Sequence, residues 1–183
     1  MRCRVEVAPL RAEPDDAAEQ VTQALRGEPL FLGERAGDWA RVTTAYGYPG
    51  WVRSEVLEEG PGALPEPVAG SAVEVARSYL GAPYLWGGLT EAGIDCSGLV
   101  HIAYRRLGRL VPRDADQQAR AGLEVAELEP GDLIAYGEPA DHIAFWLGGG
   151  RILHSTGREN GLGVVEEDEP EELRERRHRL LRL

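Results

Sequence analysis

At 183 residues and 20.0 kDa the chain has room for one domain or two. It is 43% hydrophobic and 28% charged, which suits a buried core and argues against a disordered chain. A formal charge of -11, with Arg supplying all 20 basic residues, has the wrong sign for nucleic-acid backbones and anionic membranes.

No apolar run approaches the ~18 residues that a membrane helix needs. The first residues, MRCRVEVAPLRAEPDD, carry charges where a secretory signal would be apolar. A cytoplasmic protein is therefore expected, acting as a monomer without nucleic-acid or membrane partners. Two distant cysteines, Cys3 and Cys96, read as free thiols in such a compartment.

Residues 1–58 read as short strands. EPLFLGER, WARVTTA and GWVRSEV are rich in branched and aromatic residues, with turn signals at AGDW and YGYPGW. About 60 residues of short strands suggest a small all-β barrel. DDAAEQVTQALRG has helical propensity, with strand and loop as the alternative. Residues 59–70, containing GPGALPEPVAG, form a linker without periodicity.

Residues 71–183 open with a helix over SAVEVARSYLG, capped by Ser71 and ended by Gly81. A glycine-interrupted loop leads to a second helix, SGLVHIAYRRLG, with Leu99, Ala103 and Leu107 on one face. The polar stretch PRDADQQARAG follows. Three strands are expected at LIAYG, HIAFWLG and RILHST, with GVVEE as a weaker fourth. The tail reads as a helix and a short ending. Helices followed by an antiparallel sheet make this part α+β.

Cys96 lies at the mouth of the second helix. The dipole and free N–H groups there are expected to lower its pKa, favour the thiolate and hold an oxyanion. A thiolate nucleophile needs a base, and the base an orienting partner. His142 and His154 flank the Gly148–Gly150 turn. A three-residue loop would oppose His154 to Ala144 and leave His142 as its diagonal neighbour, ~7–8 Å away between backbones. A two-residue loop would put the two imidazoles on opposite faces.

Zinc would compete for Cys96, His142 and His154, but no ligand spacing supports it. The glycine run is no phosphate loop, and no GxSxG elbow makes Ser97 a hydrolase serine. His101 reads as structural, Cys3 as inert, His178 as solvated and the acidic run Glu166–Glu169 as a solvated edge.

PYLWGG, DCSGLV, PRDADQQ, EPGDLIAY and DHIAFWLGGGRILHS, in this order, resemble the NlpC family of papain-like cysteine peptidases that cut bacterial cell-wall peptides. QALRGEPLFLGERAGDWARV and GYPGWV resemble the bacterial SH3-like domain that precedes the peptidase in one subgroup. The resemblance implies a papain-like α+β domain after an SH3-like barrel and no cofactor or metal. It implies Cys96 as nucleophile, His142 as general base, His154 as its orienting partner and Tyr84 as an oxyanion ligand. For the subgroup it implies cleavage between γ-D-Glu and a diamino acid in free murein peptides beginning with L-Ala, as in peptidoglycan recycling. The L-Ala amine would be held by Asp95 and by Tyr48, with Tyr46 as the alternative; Ser97 and Asp114 would line the cleft. Ala115 stands where the family often has Ser. The rival readings are an amidase or endopeptidase acting on another bond and a non-catalytic binder of wall peptides.

Overall fold

The computed structural model describes residues 1–158 and 163–183. Two compact units, Met1–Glu66 and Pro67–Leu183, divide the chain.

The first unit is built from strands β1 (Arg2–Cys3), β2 (Val7–Arg11), β3 (Gln20–Leu25), β4 (Leu30–Ala36), β5 (Trp39–Thr44), β6 (Pro49–Arg53) and β7 (Leu57–Glu58). Five of them form an antiparallel sheet in the order β3-β2-β6-β5-β4, while β1 pairs with β7. Alternation puts Ala8, Leu10, Leu30, Ala40, Val42 and Val52 inside, with Cys3 among them. The helical propensity around residues 15–27 loses to this packing. β3 occupies its second half, because Ala24 buries completely against β2 when extended.

The second unit opens with α1 (Ala72–Arg77). Ser71 caps it in a reciprocal box: its Oγ accepts from Glu74 N at 3.2 Å, and its N donates to Glu74 Oε2 at 2.7 Å. The helix is shorter than the sequence suggests. Leu80 falls in a turn beyond it, 50% exposed. A short ribbon, β8 (Leu89–Thr90) with β9 (Gly93–Ile94), leads into α2 (Cys96–Arg106). Its residues Cys96–Arg105 are all buried. Each fully buried aliphatic among them, such as Leu99, contributes ~1.5–3 kcal/mol.

The polar stretch after α2 contains α3 (Ala115–Ala121), which the sequence reading passed over. Its anchor is Gln118, fully buried, whose amide donates to the Ser97 and Pro112 carbonyls at 2.9 and 2.8 Å. A helix with a buried glutamine has little hydrophobic periodicity to reveal it.

The remaining elements are β10 (Leu123–Glu124), β11 (Leu133–Tyr136), β12 (His142–Gly148), β13 (Arg151–Thr156), β14 (Gly163–Asp168), α4 (Glu171–Arg174) and β15 (Arg177–Arg182). They make an antiparallel sheet in the order β10-β15-β11-β12-β13-β14. The expected helical tail is thus a single turn followed by a strand. RHRLLR carries four charged or titratable side chains in six residues, a composition that hides its pairing with β11. Ile134, Tyr136, Ala144 and Ile152 pack on one face of the sheet. On α2, Tyr104 stacks on Phe145 of β12, with centroids 6.3 Å apart.

The β12–β13 hairpin settles the parity question. Gly148 opposes Arg151, so the loop is the two residues Gly149 and Gly150, both at positive φ. A bulge between Trp146 and Gly148 absorbs one residue, and Phe145 then opposes Leu153. His154 therefore opposes Ala144 and shares a face with His142. The bulge restores the parity that a two-residue loop alone would lose.

Candidate active site

A row of side chains crosses the sheet, one from each of four adjacent strands. Tyr136 on β11 opposes His142 on β12, with ring centroids 5.6 Å apart. His142 Nε2 lies 2.7 Å from Nδ1 of His154 on β13. His154 Nε2 lies 2.8 Å from Oε1 of Glu167 on β14, which also binds Arg158. The row is braced at its other end. Tyr136 donates its hydroxyl to Glu169 at 3.1 Å, and Arg177 and Arg174 neutralise that buried carboxylate.

Cys96 comes to this row from the start of α2. Its thiol sits beside the amide N–H groups of Ile143, the residue after His142, and of Ser97. The helix end therefore brings the sulfur to the strand that carries His142. Of the first-turn amides of α2, that of Ser97 lies beside the sulfur and that of Gly98 is taken by the Asp95 side chain.

Burial pushes Cys96 up to about 12, with the Asp95 carboxylate adding to the effect. The Ile143 and Ser97 amides and Arg113 pull the other way and lose. Burial thus works against the thiolate that the helix N-terminus was expected to favour. Burial also pulls His142 down to about 3, helped by His154, Arg176 and Arg158. His154 is lowered by burial too, with Glu167 opposing the shift. Burial thus favours the uncharged form of both the thiol and the imidazole.

Asp95 is the N-cap of α2. Its Oδ1 accepts from Gly98 N at 2.6 Å and its Oδ2 from Gly87 N at 2.7 Å. Arg113, 1% exposed, grips both oxygens at 3.0 and 2.8 Å. The Ser97 hydroxyl donates to Oδ1 at 3.3 Å and accepts from Arg113 Nη1 at 3.0 Å. A carboxylate offers about four lone-pair positions, and these donors fill them. Asp95 thus ties the start of α2 to the 87–88 loop and to Arg113. Ser97 belongs to the same buried cluster. Arg113, which the sequence reading did not single out, holds the cluster together.

Tyr84 bridges to Ile94 beside β9. Its hydroxyl is held un-ionised, first by burial and then by Cys96 and Asp95. Asp114 precedes α3 and accepts from Gln117 Nε2 at 2.9 Å. In the first unit the Tyr46 hydroxyl is shared with Thr22 Oγ1 at 2.9 Å, and the half-buried Tyr48 stacks obliquely on Tyr46 at 6.4 Å. His101 is fully buried, its Nδ1 on the Val111 carbonyl at 2.8 Å, and takes no part in the row.

The acidic run 166–169 corrects the sequence reading. Glu166 pairs with Arg77 at 2.5 Å, Glu167 reaches the imidazoles, and Glu169 is buried under Arg177. Nothing in the local sequence separates these acids from a solvated edge; strand alternation and distant arginines do. Among the described residues, no three of His, Cys, Asp and Glu gather in a way that could hold a metal ion.

The model of the NlpC/P60 family matches residues 81–175, more than half of the chain, and spans Tyr84, Cys96 and both site histidines. The chain belongs to the NlpC/P60 family of cysteine peptidases. Residues 10–57 match the bacterial dipeptidyl-peptidase Sh3 domain. The NlpC/P60 protein is 30% identical over 139 residues to a gamma-D-glutamyl-L-lysine dipeptidyl-peptidase of Bacillus cereus, covering 71% of this chain and 42% of the relative. To the enzyme of the same name from Bacillus subtilis it is 34% identical over 134 residues, covering 69% and 44%. It spans less than half the length of these two relatives. A crystal structure of an NlpC/P60 family protein from Bacillus cereus superposes with a TM-score of 0.58 at 26% identity, covering 99% of this chain and 62% of that one.

Proposed function

We propose that this NlpC/P60 protein is a cysteine endopeptidase that hydrolyses the γ-D-glutamyl–diamino acid bond of free murein peptides beginning with L-Ala. The observation that carries the reading is the Cys96–His142–His154 arrangement: a thiol at a helix N-terminus, beside a strand whose histidine is aligned by a second histidine at 2.7 Å. The names of the two Bacillus relatives and the match to a dipeptidyl-peptidase Sh3 domain support the bond and the substrate class. A charge of -11 suits small soluble peptides better than adsorption to anionic wall polymers, in keeping with recycling in the cytoplasm.

Cys96 Sγ attacks the γ-glutamyl carbonyl carbon while its proton passes to His142 Nδ1, the ring nitrogen turned away from His154. Starting from a neutral pair, charge separates only as the bond forms. The carbonyl oxygen becomes an oxyanion held by the first amides of α2 and by the Tyr84 hydroxyl. His142 then gives its proton to the leaving amine of the diamino acid. The thioester remains on Cys96, and the base-assisted attack of water releases the γ-glutamyl product and the thiol. In the same reading Asp114 and Ser97 border the cleft.

The test uses L-Ala-γ-D-Glu-L-Lys and L-Ala-γ-D-Glu-meso-diaminopimelate with the wild type and Cys96→Ala, followed by mass spectrometry. Release of the free diamino acid by the wild type alone is expected. Equal release by both proteins, or none by either, would overturn the reading. Acetylating the L-Ala amine is expected to stop cleavage, which separates this specificity from a general amidase.

A further inference from the structure

Glu167 sits at the far end of the row, two imidazoles away from the sulfur. It comes from β14, its side chain is 25% exposed, and it binds His154 Nε2 at 2.8 Å and Arg158. We propose that Glu167 is a positioning residue that fixes the proton arrangement of both histidines, and that Arg158 keeps its carboxylate ionised and aimed. The proposal rests on the hydrolytic reading above and deepens it.

An ionised carboxylate only accepts hydrogen bonds, so His154 carries its proton on Nε2. Neutral His154 then has a lone pair on Nδ1. His142 must donate to that lone pair from Nε2, which leaves the lone pair of His142 on Nδ1. That is the one arrangement in which His142 can take a proton from Cys96. If His154 adopts the other tautomer, it donates from Nδ1, and His142 turns its own N–H toward the sulfur. The base is then blocked without any side chain moving. When His142 becomes an imidazolium, the carboxylate also offsets part of the new charge. Several groups act on the pair. Arg158 and Arg176 oppose that charge, Tyr136 packs on His142 from β11, and the Cys96 thiol lies by the amide of the next residue, Ile143.

Removing the acceptor with Glu167→Leu, or weakening it with Glu167→Gln, tests this without a substrate. Histidine 15N NMR of the free wild type is expected to show Nε2–H tautomers at His142 and His154, and the variants a mixture at both. The rate of Cys96 alkylation by iodoacetamide is expected to fall ~10–100-fold near neutral pH, as for other partners that orient a working histidine. Its pH profile should change shape. On a cleavable peptide, kcat should fall by a similar factor with KM nearly unchanged. Arg158→Gln should give the same changes in smaller measure, and serves if the Glu167 variants do not fold. A folded Glu167→Leu that keeps the wild-type tautomers and alkylation profile would overturn the proposal. If the tautomers shift as expected but the wild type cuts neither peptide, the substrate reading fails and the role of Glu167 stands.

Discussion

The two cysteines of this chain are both buried, and burial raises the pKa of both thiols. Cys3 lies in the core of the first unit, its sulfur 3.4 Å from the Val5 carbonyl and 3.7 Å from that of Ala24. Cys96 lies under the first amides of α2, beside the strand of His142. Burial therefore does not separate an inert cysteine from a nucleophile here. The separation comes from the neighbours: carbonyls around Cys3 can only accept its proton in a hydrogen bond, whereas His142 can carry the proton away.

Losing one thiol or the other should have opposite consequences for activity. Cys96→Ala should lower kcat/KM on the murein peptide by ~10⁴-fold or more, whereas Cys3→Ala should leave it unchanged. A steady-state assay of both variants checks this. Next comes the scaffold of Cys96. Asp95→Asn removes the counter-charge of an almost fully buried guanidinium and should cost ~3–5 kcal/mol of unfolding free energy, read by urea denaturation. His154→Ala leaves the base in place but unaligned, and should reduce kcat by ~100-fold or more with little change in KM.

A smaller effect concerns pH. His142 and His101 are held down to about 3 and about 4, against ~6.5 in an unfolded chain. Between those values the unfolded state binds protons that the folded state refuses. Stability should therefore be free of this penalty above pH ~6.5 and fall steadily as pH drops toward 4. Thermal unfolding across pH 4–8 measures it. The acid limb of kcat/KM should likewise lie below the ordinary histidine range. The smallest change is the stability of Cys3→Ala: losing one packed sulfur should cost ~1 kcal/mol, visible as a few degrees in Tm.

Much of the site was legible because its residues lie in short, ordered segments. Asp95, Cys96 and the capped helix are contiguous, and the His142–His154 pairing follows from strand alternation once the turn is known. The partners that tune them were not legible. Arg113 is 18 positions from Asp95, and Glu167 is 13 from His154. Such pairs are set by tertiary approach, and a carboxylate in an acidic run looks the same in sequence whether or not an imidazole meets it. β3 and β15 were hidden for a related reason: local propensity pointed to helix, and sheet neighbours far along the chain decided otherwise.

The order β10-β15-β11 has a consequence for when the molecule becomes chemically active. The last strand of the sheet is threaded between two earlier ones, and its Arg177 neutralises the buried Glu169 that holds Tyr136 against His142. A growing chain that has exposed Cys96 and both histidines still lacks the strand that closes β11 and braces the row. The row is therefore braced only once β15 is in place, and a chain cut before it would carry Cys96 and both histidines without that brace.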